Sequence, residues 1–192
     1  MDTNIKMTQA ILKEALNALR NEHTILYPTD TVWGLGCDAT SEDAVKKIYT
    51  LKHREESKSL IVLVSSLHML KQYVTVPKIA EDILCKAMKP TTIIYKNPRG
   101  LASNAIATED QTVAIRIVED DFCKSLIEAF EKPIISTSAN ISGKPTPKSF
   151  SEINQAVLMR VDYIVNLHQE KIATKSSTIL KIEGETITVI RE

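Results

Sequence analysis

The sequence has no surplus of charge of either sign: 24 Lys+Arg stand against 24 Asp+Glu in 192 residues. A protein that holds nucleic acid mainly by net positive charge is therefore not expected, and an anionic ligand would have to be met by a local cluster of cations. Cysteine is sparse. Cys37, Cys85 and Cys123 are odd in number, widely spaced and form no CxxC pair. That pattern argues against a disulfide framework or a zinc site and for a reducing compartment. No apolar run approaches the roughly 18 residues of a membrane span. The opening MDTNIKMTQA is too polar for a signal peptide. A cytoplasmic location without membrane contact is the expectation.

Several catalytic signatures are missing too. There is no GxxxxGK(S/T) loop, because Gly143-Lys144 runs into Pro145, so a nucleotide would not be held by a Walker loop. HExxH is absent, and His23, His53, His68 and His168 are scattered, as surface or hydrogen-bonded histidines are. No nucleophile elbow is present, and nothing asks for a covalent intermediate. Gly34-Leu35-Gly36-Cys37-Asp38-Ala39 does fit G-x-G-x-x-A. A dinucleotide fingerprint, however, leaves an apolar strand and runs straight into a helix. Here TDTVW precedes the string and helix caps come only after Ala39. It reads as a turn that needs glycine.

What is present is ordinary globular material, 43% hydrophobic and 25% charged, in a length that usually makes one domain. Ile11, Leu12, Ala15, Leu16 and Leu19 recur at helical spacing and predict a helix over 8–22. Further helices are expected at 40–52, from Ser65 or Ser66 to 73, at 77–88 with Ile79, Ile83 and Leu84 inward, from Asp120 or Asp121 to 131, and at 150–159. Strands are expected at 24–27, 60–64, 91–95, 112–118, from Ile134, and at 163–167. The unbroken run LIVLV at 60–64 is that of a strand buried on both sides. A closing hairpin pairs 178–182 with 186–190 around Gly184. Interleaved strands and helices over 1–192 imply a single α/β domain. The hairpin and the Tyr27-Pro28 break imply a mixed sheet.

Four patches stand out from structural filler. Tyr27-Pro28-Thr29-Asp30-Thr31 places hydroxyls and a carboxylate at a strand end, where a plain turn is the competing reading. Lys52, Arg54 and Lys58 fall between a helix and a buried strand. Cations favour helix C-termini anyway, but three at a sheet edge can take the charge of a polyphosphate. Arg116 lies inside an apolar strand and needs an anionic partner or solvent. Alternation places it with Thr112 and Ala114 on one face and Val113, Ile115 and Ile117 on the other. Finally, the polar, turn-rich segment 136–148, STSANISGKPTPK, offers hydroxyls and an amide directly after an apolar strand.

In this order the patches closely resemble the YrdC-like threonylcarbamoyl-AMP synthase family. The resemblance is carried by Tyr27-Pro-Thr-Asp-Thr-Val-Trp-Gly-Leu35, Lys52-x-Arg54 with Lys58, Val113-Ala-Ile-Arg116, Ser136-Thr-Ser-Ala-Asn-x-Ser-Gly143, and Ser177-Thr178 with Arg191. It spans about 25–191. It implies a twisted, open sheet of parallel and antiparallel strands flanked by helices, with a concave basic groove. It also implies conversion of L-threonine, bicarbonate and ATP to L-threonylcarbamoyl-AMP and pyrophosphate. A threonylcarbamoyl-transferase complex would pass the product to adenosine 37 of tRNA, and weak direct RNA binding is a further implication. Carried over residue by residue, Thr31, Arg116, Ser136 and Ser177 hold threonine, with Arg116 on its carboxylate. Arg54, Lys58, Thr112, Ser138, Thr146 and Arg191 bind ATP. Lys52, Arg54, Ser138 and Asn140 form the catalytic group. Mg2+ would arrive with ATP, not through a protein metal motif.

The chemistry fits these residue types, since a threonine carbamate is its own nucleophile and the protein need only position and neutralise charge. Three features depart from the pattern. Lys89-Pro-Thr-Thr92 replaces a Pro-Gly-Pro-Leu-Thr string, Leu63 stands where some members have histidine, and Glu192 follows Arg191 where a glycine is usual. The length corresponds to the short, single-domain form. The cations Lys52, Arg54, Lys58, Arg116, Lys144 and Arg191 are expected to converge, with Glu119-Asp120-Asp121 elsewhere. Two other classes compete. One is an RNA-binding or regulatory paralogue without synthase activity, and the other is a domain acting on carbamoyl phosphate, which usually sits in a much longer chain.

Overall fold

The computed structural model describes residues 2–55, 60–173 and 176–192. Helix α1 (Asp2–Arg20) leads into β1 (Ile25–Tyr27) and β2 (Gly34–Gly36). Then come α2 (Glu42–Lys52), β3 (Ile61–Val64), α3 (Leu67–Tyr73), α4 (Lys78–Lys86), β4 (Thr91–Lys96), β5 (Thr112–Ile117) and α5 (Asp121–Phe130). The chain closes with β6 (Ile134–Ser138), α6 (Gln155–Leu158), β7 (Tyr163–Ile164), β8 (Thr178–Glu183) and β9 (Thr186–Arg191). The strands form one sheet in the order β7-β1-β2-β6-β3-β5-β4-β8-β9. Pairs β1/β7, β3/β5 and β4/β8 are parallel and the rest antiparallel, the mixed sheet expected. Among the described residues no helix is long and apolar enough to cross a membrane.

The helix starts are set by side-chain caps. Ser41 accepts from Ala44 N, Ser66 from Met69 N and Asp120 from Cys123 N, each relieving one orphan donor. Helix α4 stops at Lys86 instead of reaching Met88, because Pro90 lies ahead and biases the residues before it away from helix. Its one buried residue is Ala80, with Ile83 and Leu84 packed against the core and Ile79 only half buried. The helix expected at 150–159 is a 3-10 turn, Phe150–Glu152, followed by a separate α6 capped by Asn154. Phe150 is drawn instead onto Trp33, with ring centroids 5.0 Å apart.

The largest departure from expectation is at Gly34 and Gly36, which lie inside β2 and have no positive φ. Their need for glycine is spatial, not conformational. The Tyr27 ring of β1 lies across β2, and a Cβ on Gly36 would meet Tyr27 Cε1 at 2.8 Å as well as the Ile135 carbonyl. A Cβ on Gly34 would stand 3.1 Å from Ser136 Oγ. Equally, β6 continues through Ser138, so the first three residues of the turn-rich segment are strand, paired with β2 and β3.

The two faces of the sheet are covered unequally. One face carries Val62, Val64, Ile93, Val113, Ile115 and Ile135 in a core shared with Val45, Ile48 and Leu70 of α2 and α3. On the other face α1 and α5 bring Ile11, Leu19, Phe122 and Leu126 against Ile25, Tyr27, Leu63 and Ile134. Leu63 is fully buried there, so it makes no side-chain opening to the surface. These two helices cover only part of that face, and the rest is the floor of a cavity. Gly36→Ala is expected to destabilise the protein by about 1–3 kcal/mol through overpacking against the Ile135 carbonyl and the Tyr27 ring. Equilibrium denaturant unfolding checks this.

Candidate active site

Register builds the floor. Ser136 pairs with Ile61, Ile61 with Ala114 and Ala114 with Ile94, giving one row across four strands. A second row runs Leu63, Arg116, Thr92, Ile179, Arg191. Because partners in register share a face, the small Ala114 and the cation Arg116 open onto the same hollow, as alternation predicts. That hollow has a volume of about 330 Å³.

Arg116 occupies one corner and is 3% exposed. Its Nη2 lies 3.1 Å from Asp30 Oδ1, and Nη1 donates to Thr31 Oγ1 at 3.2 Å. The Asp30 contact is charge against charge, since Asp30 Oδ1 and Arg116 Nε have no hydrogen-bond partner. Thr31 is itself placed by Thr29, whose Oγ1 lies 3.0 Å from Thr31 Oγ1 and donates to Val32 O at 2.7 Å. The Tyr27-Pro28-Thr29-Asp30-Thr31 string is thus a cradle for one guanidinium. Beneath it Tyr27 is fully buried, and burial pushes its hydroxyl pKa well up, so the ring stays neutral.

The opposite wall comes from the closing hairpin. Arg191 pairs with Ile179 and Val189 with Leu180, so Ile190 is the extra residue at a register shift between Ile179 and Leu180. Such a bulge turns two consecutive side chains toward one face, and both line the cavity. Arg191 donates to Ser177 O through Nε (3.1 Å) and Nη2 (2.9 Å), and Ser177 Oγ lies 2.9 Å from Thr92 Oγ1. Burial and then the neighbouring Arg116 lower the Arg191 pKa. Two guanidiniums close enough to repel across a hollow favour an anion between them.

At the third side His53 ends α2 in the left-handed conformation (φ 49°), turning the chain so that Arg54 reaches the cavity. Ser138 and Thr146 line it there as well. Lys52 does not. It is 1% exposed, and its Nζ donates to Ser138 O and, at 2.6 Å, to Asn140 O. Asn140 accepts from Ser138 Oγ at 2.5 Å and donates to Ile141 O and Lys144 O, behind the wall and not into the hollow.

Of the expected site residues, Thr31, Arg54, Arg116, Ser136, Ser138, Thr146, Ser177 and Arg191 meet around one cavity. Lys52 and Asn140 support it from outside. Thr112 is on the floor strand, but its hydroxyl donates to Asp110 at 2.6 Å and it does not line the hollow. Lys144 does not line it either, and Lys58 lies outside the described residues. Glu119-Asp120-Asp121 is nearer than expected. The Glu119 amide donates to Asp30 Oδ2 at 3.5 Å, and Asp120 lies 3.9 Å from Lys171 Nζ, which donates to Thr29 O at 3.2 Å. Asp30 was noted in sequence as the carboxylate of its patch but was not paired with Arg116, although a lone arginine in an apolar strand already asks where its carboxylate is. Ile94, Ile179 and Ile190 were missed because only register brings them to one face. Among the described residues no group of three or more His, Cys, Asp or Glu side chains is disposed to hold a metal.

Fold and site together define an α/β protein whose open sheet face carries an arginine- and hydroxyl-lined hollow suited to anionic ligands. The Sua5/YciO/YrdC family model, described as "Telomere recombination", matches residues 17–192, and the chain belongs to that family. It is 36% identical over 188 residues to a Methanocaldococcus jannaschii protein whose threonylcarbamoyl-AMP synthase name is provisional, covering 97% of this chain and 86% of that one. It is 33% identical over 165 residues to the threonylcarbamoyl-AMP synthase of Psychromonas ingrahamii, covering 84% and 85% of the two chains. The structure resembles P. abyssi Sua5 complexed with L-threonine, with a TM-score of 0.85 and 28% identity. That match covers 96% of this chain and 54% of the other, so the chain spans about half of that Sua5. E. coli YciO is similar at a TM-score of 0.83 and 25% identity, over 96% and 89% of the chains.

Asp30→Ala leaves Arg116 buried without its carboxylate and is expected to cost about 3–5 kcal/mol of stability. Denaturant unfolding of the variant beside the unaltered chain measures it.

Proposed function

We propose that the chain is a threonylcarbamoyl-AMP synthase, an enzyme of the transferase class acting as a nucleotidyltransferase. The observation that carries this reading is a single cavity lined by Arg116, Thr31 and Ser136 at one corner and by Arg54, Ser138, Thr146, Ser177 and Arg191 around the rest. Arg116, with Thr31, Ser136 and Ser177, takes L-threonine. Arg54, Ser138, Thr146 and Arg191 take ATP, with Lys58 expected to join them, and Mg2+ comes bound to the triphosphate. The kinship with named synthases over most of the chain supports the same reading.

The chemistry asks little beyond placement. The threonine amine and bicarbonate form a carbamate with loss of water. A carbamate oxygen then attacks the α-phosphorus of ATP, the bond to the β-phosphate oxygen breaks, and pyrophosphate leaves with that electron pair. Guanidiniums and hydroxyls on a preformed floor hold the two anions together and neutralise the charge that develops. The product is a mixed anhydride, ready for a transferase complex that modifies tRNA, and the reaction belongs in the cytoplasm where ATP and tRNA are found. The RNA-binding alternative is not favoured by the named relatives.

Pyrophosphate release from ATP and bicarbonate should depend on L-threonine. Release that is indifferent to threonine at saturating ATP would sink the proposal. Arg54→Ala should raise the KM for ATP roughly tenfold or more, the worth of a charge-assisted hydrogen bond, with the KM for threonine little changed.

A further inference from the structure

We infer that Lys52 is a positioning residue that readies the cavity for a triphosphate. Its ammonium pins the turn after β6 and takes over Asn140 from the Ser138 hydroxyl, freeing that hydroxyl for a phosphate oxygen. The inference rests on the proposed function only in taking a nucleoside triphosphate as the ligand at Ser138.

Lys52 holds the turn at both its ends. Its main-chain carbonyl accepts from Ser142 N at 2.8 Å, and its Nζ donates to the carbonyls of Ser138 and Asn140. The amide of Asn140 is locked from the other side, because Nδ2 donates to Ile141 O (3.1 Å) and Lys144 O (2.6 Å). Its Oδ1 therefore cannot swing away, and it takes the Ser138 proton at 2.5 Å. In that state Ser138 faces the cavity with lone pairs only, which repel a phosphate oxygen.

Counting donors shows how the hydroxyl is released. A neutral lysine amine has two N–H groups, and an ammonium has three. Two are already used on main-chain carbonyls. A third is available only in the charged form, and Nζ lies 3.5 Å from Asn140 Oδ1, a short adjustment from a good hydrogen bond. Charged Lys52 can satisfy Oδ1 while Ser138 turns its proton to the ligand. Neutral Lys52 cannot, and the hydroxyl stays committed.

The charge state is poised accordingly. Burial, and then Arg54 on the segment leaving α2, lower the Lys52 pKa to about 7. Arg54 is the charged group that bears on it, whereas β6 and the following turn present it with carbonyls, a hydroxyl and an amide. A triphosphate beside Arg54 and Ser138 favours the ammonium, so binding draws in a proton. Well below pH 7 Lys52 already carries that proton and no uptake occurs. Above pH 7 uptake rises toward one proton per ATP, and affinity falls as pH rises, by up to about tenfold per pH unit.

Titration calorimetry with Mg-ATP in buffers of different ionisation enthalpy reads the uptake directly. At pH 8, where the nucleotide itself is fully ionised, the unaltered chain should take up close to one proton, and at pH 6 almost none. Lys52→Met should abolish the uptake and weaken ATP roughly tenfold while L-threonine affinity at the Arg116 corner is kept. A lysine that merely plugged the turn would lower stability without moving proton uptake. Should Lys52→Met not fold, Lys52→Arg carries the test, because a guanidinium keeps its proton at pH 8 and still donates to the turn carbonyls. Uptake should then vanish while ATP still binds. Uptake that persists in Lys52→Arg, or ATP affinity unchanged in Lys52→Met, would overturn the inference. ATP binding without uptake by the unaltered chain overturns it alone, and no ATP binding at all overturns the synthase proposal with it.

Discussion

A guanidinium with 3% of its surface exposed must find a carboxylate or lose several kcal/mol, and Arg116 sits in β5, an interior strand of a nine-stranded sheet. Asp30 supplies that charge, and much of the site is arranged so that it can. The Pro-Thr-Asp-Thr turn has to end beside β5, although β2, β6 and β3 intervene in the sheet. It reaches across because α1 and α5 hold the strands beneath it, and because Thr29 organises Thr31 through its hydroxyl. The cation that would bind a carboxylate is therefore not a loose surface arginine. It is rigid, dry on its inner side, and open only toward the hollow.

The second constraint is the uneven covering of the sheet. Helices cover more of one face than of the other, so a floor of Ile61, Ala114 and Ile94 is left without a helix above it. Where the Tyr27 ring crosses β2 the strand must pass close to Ile135 and Ser136 as well, and Gly34 and Gly36 give it the room. The same string that mimics a dinucleotide fingerprint is thus a strand that makes room for an aromatic plate below the Arg116 corner. Neutral overall charge is compatible with this design. Arg54, Arg116 and Arg191 reach the hollow from three separate elements, while the acidic Glu119-Asp120-Asp121 segment backs the Asp30 loop instead of the cavity.

Much of this was legible in the residues. Helix spacing, caps, the buried LIVLV run and the closing hairpin are local signals, and they place most elements within a few residues. Eight of the expected cavity residues converge because their motifs sit at strand ends or in strands whose alternation is readable. Lys52, Asn140 and Thr112 belong to the same motifs yet do not line the hollow. A motif records that residues are needed together, and it does not say whether a side chain touches a ligand or holds its neighbour in place. For Lys52 that distinction depends on donors and acceptors supplied by a turn 86 residues further along the chain.

By itself the sequence determined the α/β class, the mixed sheet, the helix caps, the absence of a Walker loop or nucleophile elbow, and the family resemblance, because these depend on local pattern and residue type. Tertiary structure alone decided that Asp30 answers Arg116, that the Ile135 carbonyl and the Tyr27 ring leave no room for a Cβ at Gly36, that a bulge turns both Ile190 and Arg191 to the cavity, and that Lys52 faces carbonyls instead of solvent. Each of these rests on register or packing between segments far apart in the chain. The energies involved, burial of charge and exclusion of a single Cβ, exist only once those segments meet.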